Sequence, residues 1–170
     1  MTGFSVRKMT LAAFFAAMTA ICSWISLPVG DIAFTMQTFA VFLALGLLGG
    51  KWGTAAILIY LLLGTVGMPV FSGFRGGIGM LAGVTGGYLW GFLVSGLVYR
   101  ALERFGKLPA MFFGMTACYL CGSFWFALYS GGGIGFVFLR CVLPYLIPDA
   151  VKIWMAYSLS KRLAKYIPKT

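Results

Sequence analysis

The chain has 170 residues, of which 61% are hydrophobic and 9% charged, where a soluble domain carries about 25% charged residues. Mean hydropathy is +0.98, which excludes an ordinary water-soluble domain. Thirteen Lys and Arg against three Asp and Glu give a net charge of +10, and there is no His.

Residues 9–30, 32–50, 52–74, 76–99 and 108–139 form five charge-free runs, and a sixth apolar stretch around 141–160 is interrupted by Asp149 and Lys152. A spanning helix needs roughly 20 apolar residues. The run 108–139 is too long for one span, but Gly131-Gly132-Gly133 divides it. The expectation is an all-α integral membrane protein of six transmembrane helices, with residues 1–170 forming one transmembrane domain.

Arg7 and Lys8 before the first run have the outline of a signal peptide. The run is too long for a typical signal core and lacks a small-x-small exit, so it is read as a retained helix. Within it, Ala12, Ala16 and Ala20 recur every four residues on one face, extended by Ala13 and Ala17. Small residues at this spacing let membrane helices approach closely. The face suits either packing inside the bundle or docking of another membrane subunit.

A basic chain invites a nucleic-acid reading, but the charges are segregated. Ten of the 13 basic residues lie at four places: Arg7 and Lys8; Lys51; Arg100, Arg104 and Lys107; Lys161, Arg162, Lys165 and Lys169. With six spans these all fall on one side, and the other side keeps only Arg75 and Arg140. Lys and Arg accumulate in cytoplasmic loops. Both termini are therefore expected in the cytoplasm of a plasma-membrane protein, and no nucleic-acid partner is expected.

Eight of the residues in 67–87 are Gly. A helix so rich in glycine would not face lipid uniformly; irregular backbone at membrane depth is tolerated where protein covers it or it lines a cavity. The segment, between the third and fourth spans, is read as an outer loop lining a site, with Phe71, Phe74 and Tyr88 unusual for a plain connector. Gly-x-Gly patterns here and at 131–136 lack a strand–turn–helix context, and no phosphate-binding G-x-x-x-x-G-K-[ST] occurs.

Asp149 and Lys152 are the acid and base expected deep within a span. A charge there costs at least ~2.5–3.5 kcal/mol. The i, i+3 spacing puts both on one face, and Pro148 suits a first helical turn at Asp149. The pair is either a structural ion pair or a ligand site facing the same cavity as the glycine-rich loop. Trp24, Trp90, Trp125, Trp154 and Tyr145 are candidate apolar walls. Cys118-x-x-Cys121 is read as small core residues, since no His or second cysteine pair accompanies it. No metal, cofactor or catalytic residue is expected, and the chain is not read as an enzyme.

Several stretches together resemble the BioY family, the biotin-binding S components of energy-coupling-factor (ECF) transporters. They are Phe34-Thr35-Met36-Gln37-Thr38, Gly67-Met68-Pro69-Val70-Phe71-Ser72-Gly73, Gly83-Val84-Thr85-Gly86-Gly87-Tyr88 with Gly91-Phe92, and Pro148-Asp149-Ala150-Val151-Lys152. Val84 stands where the family usually has Pro, and Pro148 precedes Asp149 directly where the family often has Pro-Gly-Asp. The resemblance implies a high-affinity biotin binder working with a membrane scaffold subunit and two ATPases. It implies a ligand site containing Asp149 and Lys152, lined by Phe71, Ser72, Gly73, Arg75, Thr85, Gly86 and Tyr88, with Gln37 nearby. It also implies that Ala12, Ala16 and Ala20 dock the scaffold. Biotin would be cargo, its carboxylate bound by Arg75 or Lys152. An S component for another vitamin, and a membrane scaffold without ligand, are the alternatives.

Overall fold

The computed structural model describes residues 6–29 and 32–166. Lys169, used in the charge pattern above, lies outside them. The described elements are α1 (Val6–Trp24), β1 (Ser26–Val29), β2 (Ile32–Thr35), α2 (Gln37–Thr65), α3 (Ile78–Ala82), α4 (Gly86–Leu102), a 3-10 turn at Glu103–Phe105, α5 (Lys107–Ser130), α6 (Ile134–Cys141) and α7 (Leu143–Leu163).

The expected all-helical reading needs one addition. The segment after Trp24 turns into an antiparallel hairpin in which Ser26 pairs with Thr35 and Leu27 with Phe34. The Met36 amide closes it by donating to the Ile25 carbonyl at 3.1 Å. The charge-free runs 9–30 and 32–50 therefore overstate two helices, because hydropathy alone does not separate an apolar strand from an apolar helix.

α2 is two rods joined at Gly49, whose φ of 75° and ψ of 171° are non-helical; only glycine adopts such a φ freely. The break exposes backbone groups that a continuous helix would pair. Glu103 accepts from the Gly50 amide at 2.8 Å, and the Lys107 ammonium donates to the Gly46 carbonyl at 2.8 Å. An acid thus meets the start of the second rod and a base the end of the first, as the helix dipole favours. Among the described residues, α1, α2 and α5 are long and apolar enough to cross a membrane.

Small residues set the helix spacing. The most extensive pair is α4 with α5, followed by α1 with α2. A Cβ at Gly87 would lie 2.2 Å from the Trp125 Cβ, and one at Gly91 2.8 Å from the Cys118 Sγ, so α4 and α5 touch nearly backbone to backbone. On α1, Ala12, Ala16 and Ala20 are buried in the core of the fold. That corrects their reading as a docking face: the stripe is consumed by packing within the chain, while Ala13, Phe14, Ala17 and Ile21 stay exposed. Gly131, in the left-handed region at φ 65°, ends α5 where the triple glycine divides the long apolar run.

α7 begins at Leu143, with Pro144 in its first turn, and Pro148 lies inside the helix. Asp149 therefore does not sit at a helix start. Pro144 takes the place where a missing N–H is harmless. Pro148 then withholds a hydrogen bond from the interior of α7.

The outer surface is apolar. Leu120, Phe124 and Leu128 on α5 are 68–69% exposed, the surface of a membrane protein rather than of a soluble monomer.

Candidate functional site

At the hairpin end of the bundle, α7, α5, α2, the loop before α4 and the hairpin enclose a cavity with about 100 Å³ of water-accessible interior. Its polar head is the ion pair on α7. The Lys152 ammonium donates to Asp149 Oδ1 at 2.7 Å, and the two side chains are only 6% and 7% exposed. The i, i+3 spacing brings them together on one helical face. The other carboxylate oxygen, Oδ2, accepts from the Tyr119 hydroxyl on α5 at 2.7 Å.

Lys152 also reaches off its own helix. Its ammonium donates to the Thr35 carbonyl at 2.7 Å and lies 3.6 Å from the centre of the Phe34 ring, within the range of cation–π attraction. Phe34 stacks on Tyr145 at 6.5 Å between centroids. The Tyr145 hydroxyl donates to the Ile32 carbonyl. α7 thus grips strand β2 at Ile32, Phe34 and Thr35.

On the facing wall, Gln37 opens α2 and is 4% exposed. Its side-chain amide donates to the Tyr60 hydroxyl, and its carbonyl accepts from the Thr35 hydroxyl at 3.3 Å. The glycine-rich loop covers another side. Gly64 leaves the space that the Phe71 ring fills, since a Cβ there would stand 2.0 Å from it. Phe71 and Arg75 exchange backbone hydrogen bonds in a small loop. The Ser23 hydroxyl, 2.6 Å from the Val70 carbonyl, and the Trp24 indole N–H, 2.9 Å from the Pro69 carbonyl, moor it to α1. Thr85 precedes α4 without making a side-chain cap, so its hydroxyl remains for the cavity.

Of the residues expected at a ligand site, the fold brings Gln37, Phe71, Ser72, Thr85, Tyr88, Asp149 and Lys152 to this one cavity. Gly73, Arg75 and Gly86 are not among its lining. Gly73 holds a positive φ of 72° in the exposed loop. Gly86 is a packing position, because a Cβ there would meet the Leu81 carbonyl oxygen at 2.0 Å. Arg75 lines an adjoining opening that shares Met80 and Thr85 with the cavity.

The tryptophans do not form the walls. Trp24, Trp90 and Trp154 are 38–59% exposed, and the Trp125 indole donates to the Gly83 carbonyl at 3.0 Å; among the five aromatic wall candidates, Tyr145 lines the cavity. Sequence reasoning missed Tyr119. The available signal was a phenol in an apolar helix, since a buried tyrosine hydroxyl normally finds a partner.

These features define a helical membrane bundle with one internal, aromatic-walled cavity headed by an ion pair. The chain belongs to the BioY family, whose model matches residues 1–169. It is 37% identical over 170 residues to a protein of Thermotoga maritima named biotin transporter BioY, covering 94% of this chain and 97% of that one. It is 38% identical over 159 residues to a probable biotin transporter BioY of Pyrococcus horikoshii, covering 92% and 96%. Its fold matches the crystal structure of the S-component for biotin from an ECF-type ABC transporter, with a TM-score of 0.86, 26% identity and coverage of 94% and 92%.

Proposed function

We propose that this protein is the membrane subunit that captures biotin for uptake and presents it to an ATP-driven ECF module. One observation carries the reading: a buried Asp149–Lys152 pair heads an aromatic-walled cavity in a chain of the BioY family. A buried pair is weak evidence for a stabilising role, because desolvation offsets much of its attraction. A polar ligand gives it a use.

Biotin suits the cavity chemically. The ureido N–H groups find an acceptor in Asp149, and the ureido carbonyl finds donors in Lys152 and Gln37. The thiophane ring and valerate chain lie against Phe34, Phe71, Tyr88 and Tyr145, with Ser72 and Thr85 at the loop side. With the ureido head on Asp149 and Lys152, the carboxylate at the other end of the ligand is met by Arg75, where the valerate chain extends into the adjoining opening. Polar groups left unpaired by a poorer ligand would penalise it, which is a source of selectivity. Biotin is cargo here and no cofactor takes part.

The topology follows from charge. The two rods of α2 count as separate crossings, which with α1, α4, α5 and α7 makes six. Lys51, Arg100, Arg104, Lys107, Lys161 and Arg162 then mark the cytoplasmic side of the plasma membrane. The cavity opens outward under the hairpin and the glycine-rich loop. With no phosphate-binding loop in the sequence, energy for accumulation comes from partners: a membrane scaffold subunit and two ATPases. The exposed flank of α1, with Ala13 and Ala17, is the part of that helix left for a neighbour.

The test is purification in mild detergent from cells grown with biotin, followed by native mass spectrometry and by titration calorimetry on ligand-stripped protein. Co-purified biotin and binding that other vitamins do not compete with are expected. Tighter binding of another vitamin would replace the substrate, and no binding of any would remove the carrier reading.

A further inference from the structure

Tyr119 has two neighbours that no other described residue combines. Its hydroxyl holds Asp149 Oδ2 at 2.7 Å. Its side chain is also common to the cavity and to a second, apolar groove on the outer surface between α5, α6 and α7. Leu120 and Phe124 beside it in that groove are each 68% exposed, so the groove faces the surroundings of the bundle. Tyr119 is thus the partition between the polar head of the cavity and the apolar exterior.

We propose that Tyr119 is a positioning and selectivity residue for the Asp149 carboxylate. The reading of the cavity as a biotin site underlies this inference. Lys152 binds one carboxylate oxygen and Tyr119 the other. An ionised carboxylate has about four acceptor positions, so two remain for a ligand. With both oxygens tied from different helices, α7 and α5, the carboxylate plane cannot turn about its last bond. The free lone pairs then point in a set direction, which favours a ligand presenting paired N–H donors at a matching angle. Without the phenol hydroxyl, Oδ2 loses a charge-assisted hydrogen bond, and the plane is held at one corner only. The ring itself would still separate the cavity from the groove.

The experiment is Tyr119→Phe, alone and combined with Asp149→Asn, with three readouts on each purified protein. These are the biotin Kd, the Kd of a biotin analogue with one ureido nitrogen blocked, and the melting temperature without ligand. Tyr119→Phe should weaken biotin roughly 10- to 150-fold, the scale of a hydrogen bond to a charged group. It should weaken the blocked analogue less, narrowing the selectivity ratio. In the Asp149→Asn background the same substitution should change the Kd by less than about twofold, because coupled residues are not additive. A purely structural phenol would lower the melting temperature and leave the selectivity ratio as it is. Unchanged affinity and ratio in Tyr119→Phe, or an equal loss with and without Asp149, would overturn the inference while leaving the biotin reading intact. Failure of the wild-type protein to bind biotin would overturn both.

Discussion

Lys152 on α7 and Thr35 at the end of the hairpin are joined by a 2.7 Å hydrogen bond from ammonium to backbone carbonyl, 117 residues apart in the chain. The same ammonium holds Asp149. The charged head of the cavity and the strand that covers it are therefore one polar assembly, so a change in either reaches the other.

Asp149→Asn should weaken biotin binding at least tenfold, measured by calorimetry in detergent. Lys152→Met should be the more damaging for stability. It leaves a buried carboxylate without its cation, a loss that costs about 3–5 kcal/mol, and it releases Thr35. The double variant Asp149→Asn with Lys152→Met should recover much of the melting temperature and none of the affinity. Recovery of binding in the double variant would mean that the pair is not a ligand site.

Ser23 shares its hydroxyl hydrogen between the carbonyls of Ala20 and Val70, at 2.7 and 2.6 Å. Ser23→Ala removes a mooring of the glycine-rich loop worth about 1 kcal/mol. Biotin should dissociate roughly fivefold faster, with a smaller change in association. Stopped-flow displacement by unlabelled biotin measures both rates.

Gly87 has no room for a side chain, its Cβ position being 2.2 Å from the Trp125 Cβ. Gly87→Val must push α4 from α5, and overpacking of this kind costs about 1–3 kcal/mol. A lower melting temperature, with loss of monodisperse protein in size-exclusion chromatography, is the expected outcome. A variant as stable as the parent would show that the two helices separate easily.

Glu103 accepts from the Gly50 amide at the start of the second rod of α2. Glu103→Gln keeps the shape but removes the charge at that helix start. The loss should be about 0.5–1 kcal/mol, seen as a small fall in melting temperature relative to the parent, a gap that narrows in high salt. Biotin affinity should hold, because the clasp lies away from the cavity lining.

The orientation is open to direct measurement. With the proposed topology, an impermeant thiol reagent in intact cells should label Phe74→Cys, on the exposed glycine-rich loop. It should leave Arg104→Cys unlabelled until the membrane is opened. The reverse pattern would invert the topology and place the cavity on the cytoplasmic side.

Much of the site was legible in the chain. Asp149 and Lys152 stand out because ionisable groups in apolar runs are rare, and the density of glycine in 67–87 marks backbone that must be covered by protein. The hairpin was not legible: Ser26–Val29 and Ile32–Thr35 are as apolar as the helices beside them, and strand pairing is a property of two segments. The role of Ala12, Ala16 and Ala20 misled for a related reason. A stripe of small residues states that something packs closely there, and says nothing of whether it is another chain or α2.

By itself, the sequence determined the solvent, the likeness to the BioY family and the acidic and basic head of the cavity. Composition decides whether backbone must satisfy itself in hydrocarbon, and i, i+3 spacing on a helix is local geometry. Only the tertiary structure decided that Tyr119 and Phe34 join that head, that the tryptophans and Arg75 stand apart from it, and that the alanine stripe turns inward. Those are contacts between segments far apart in the chain, set by how the glycines let the helices close on one another.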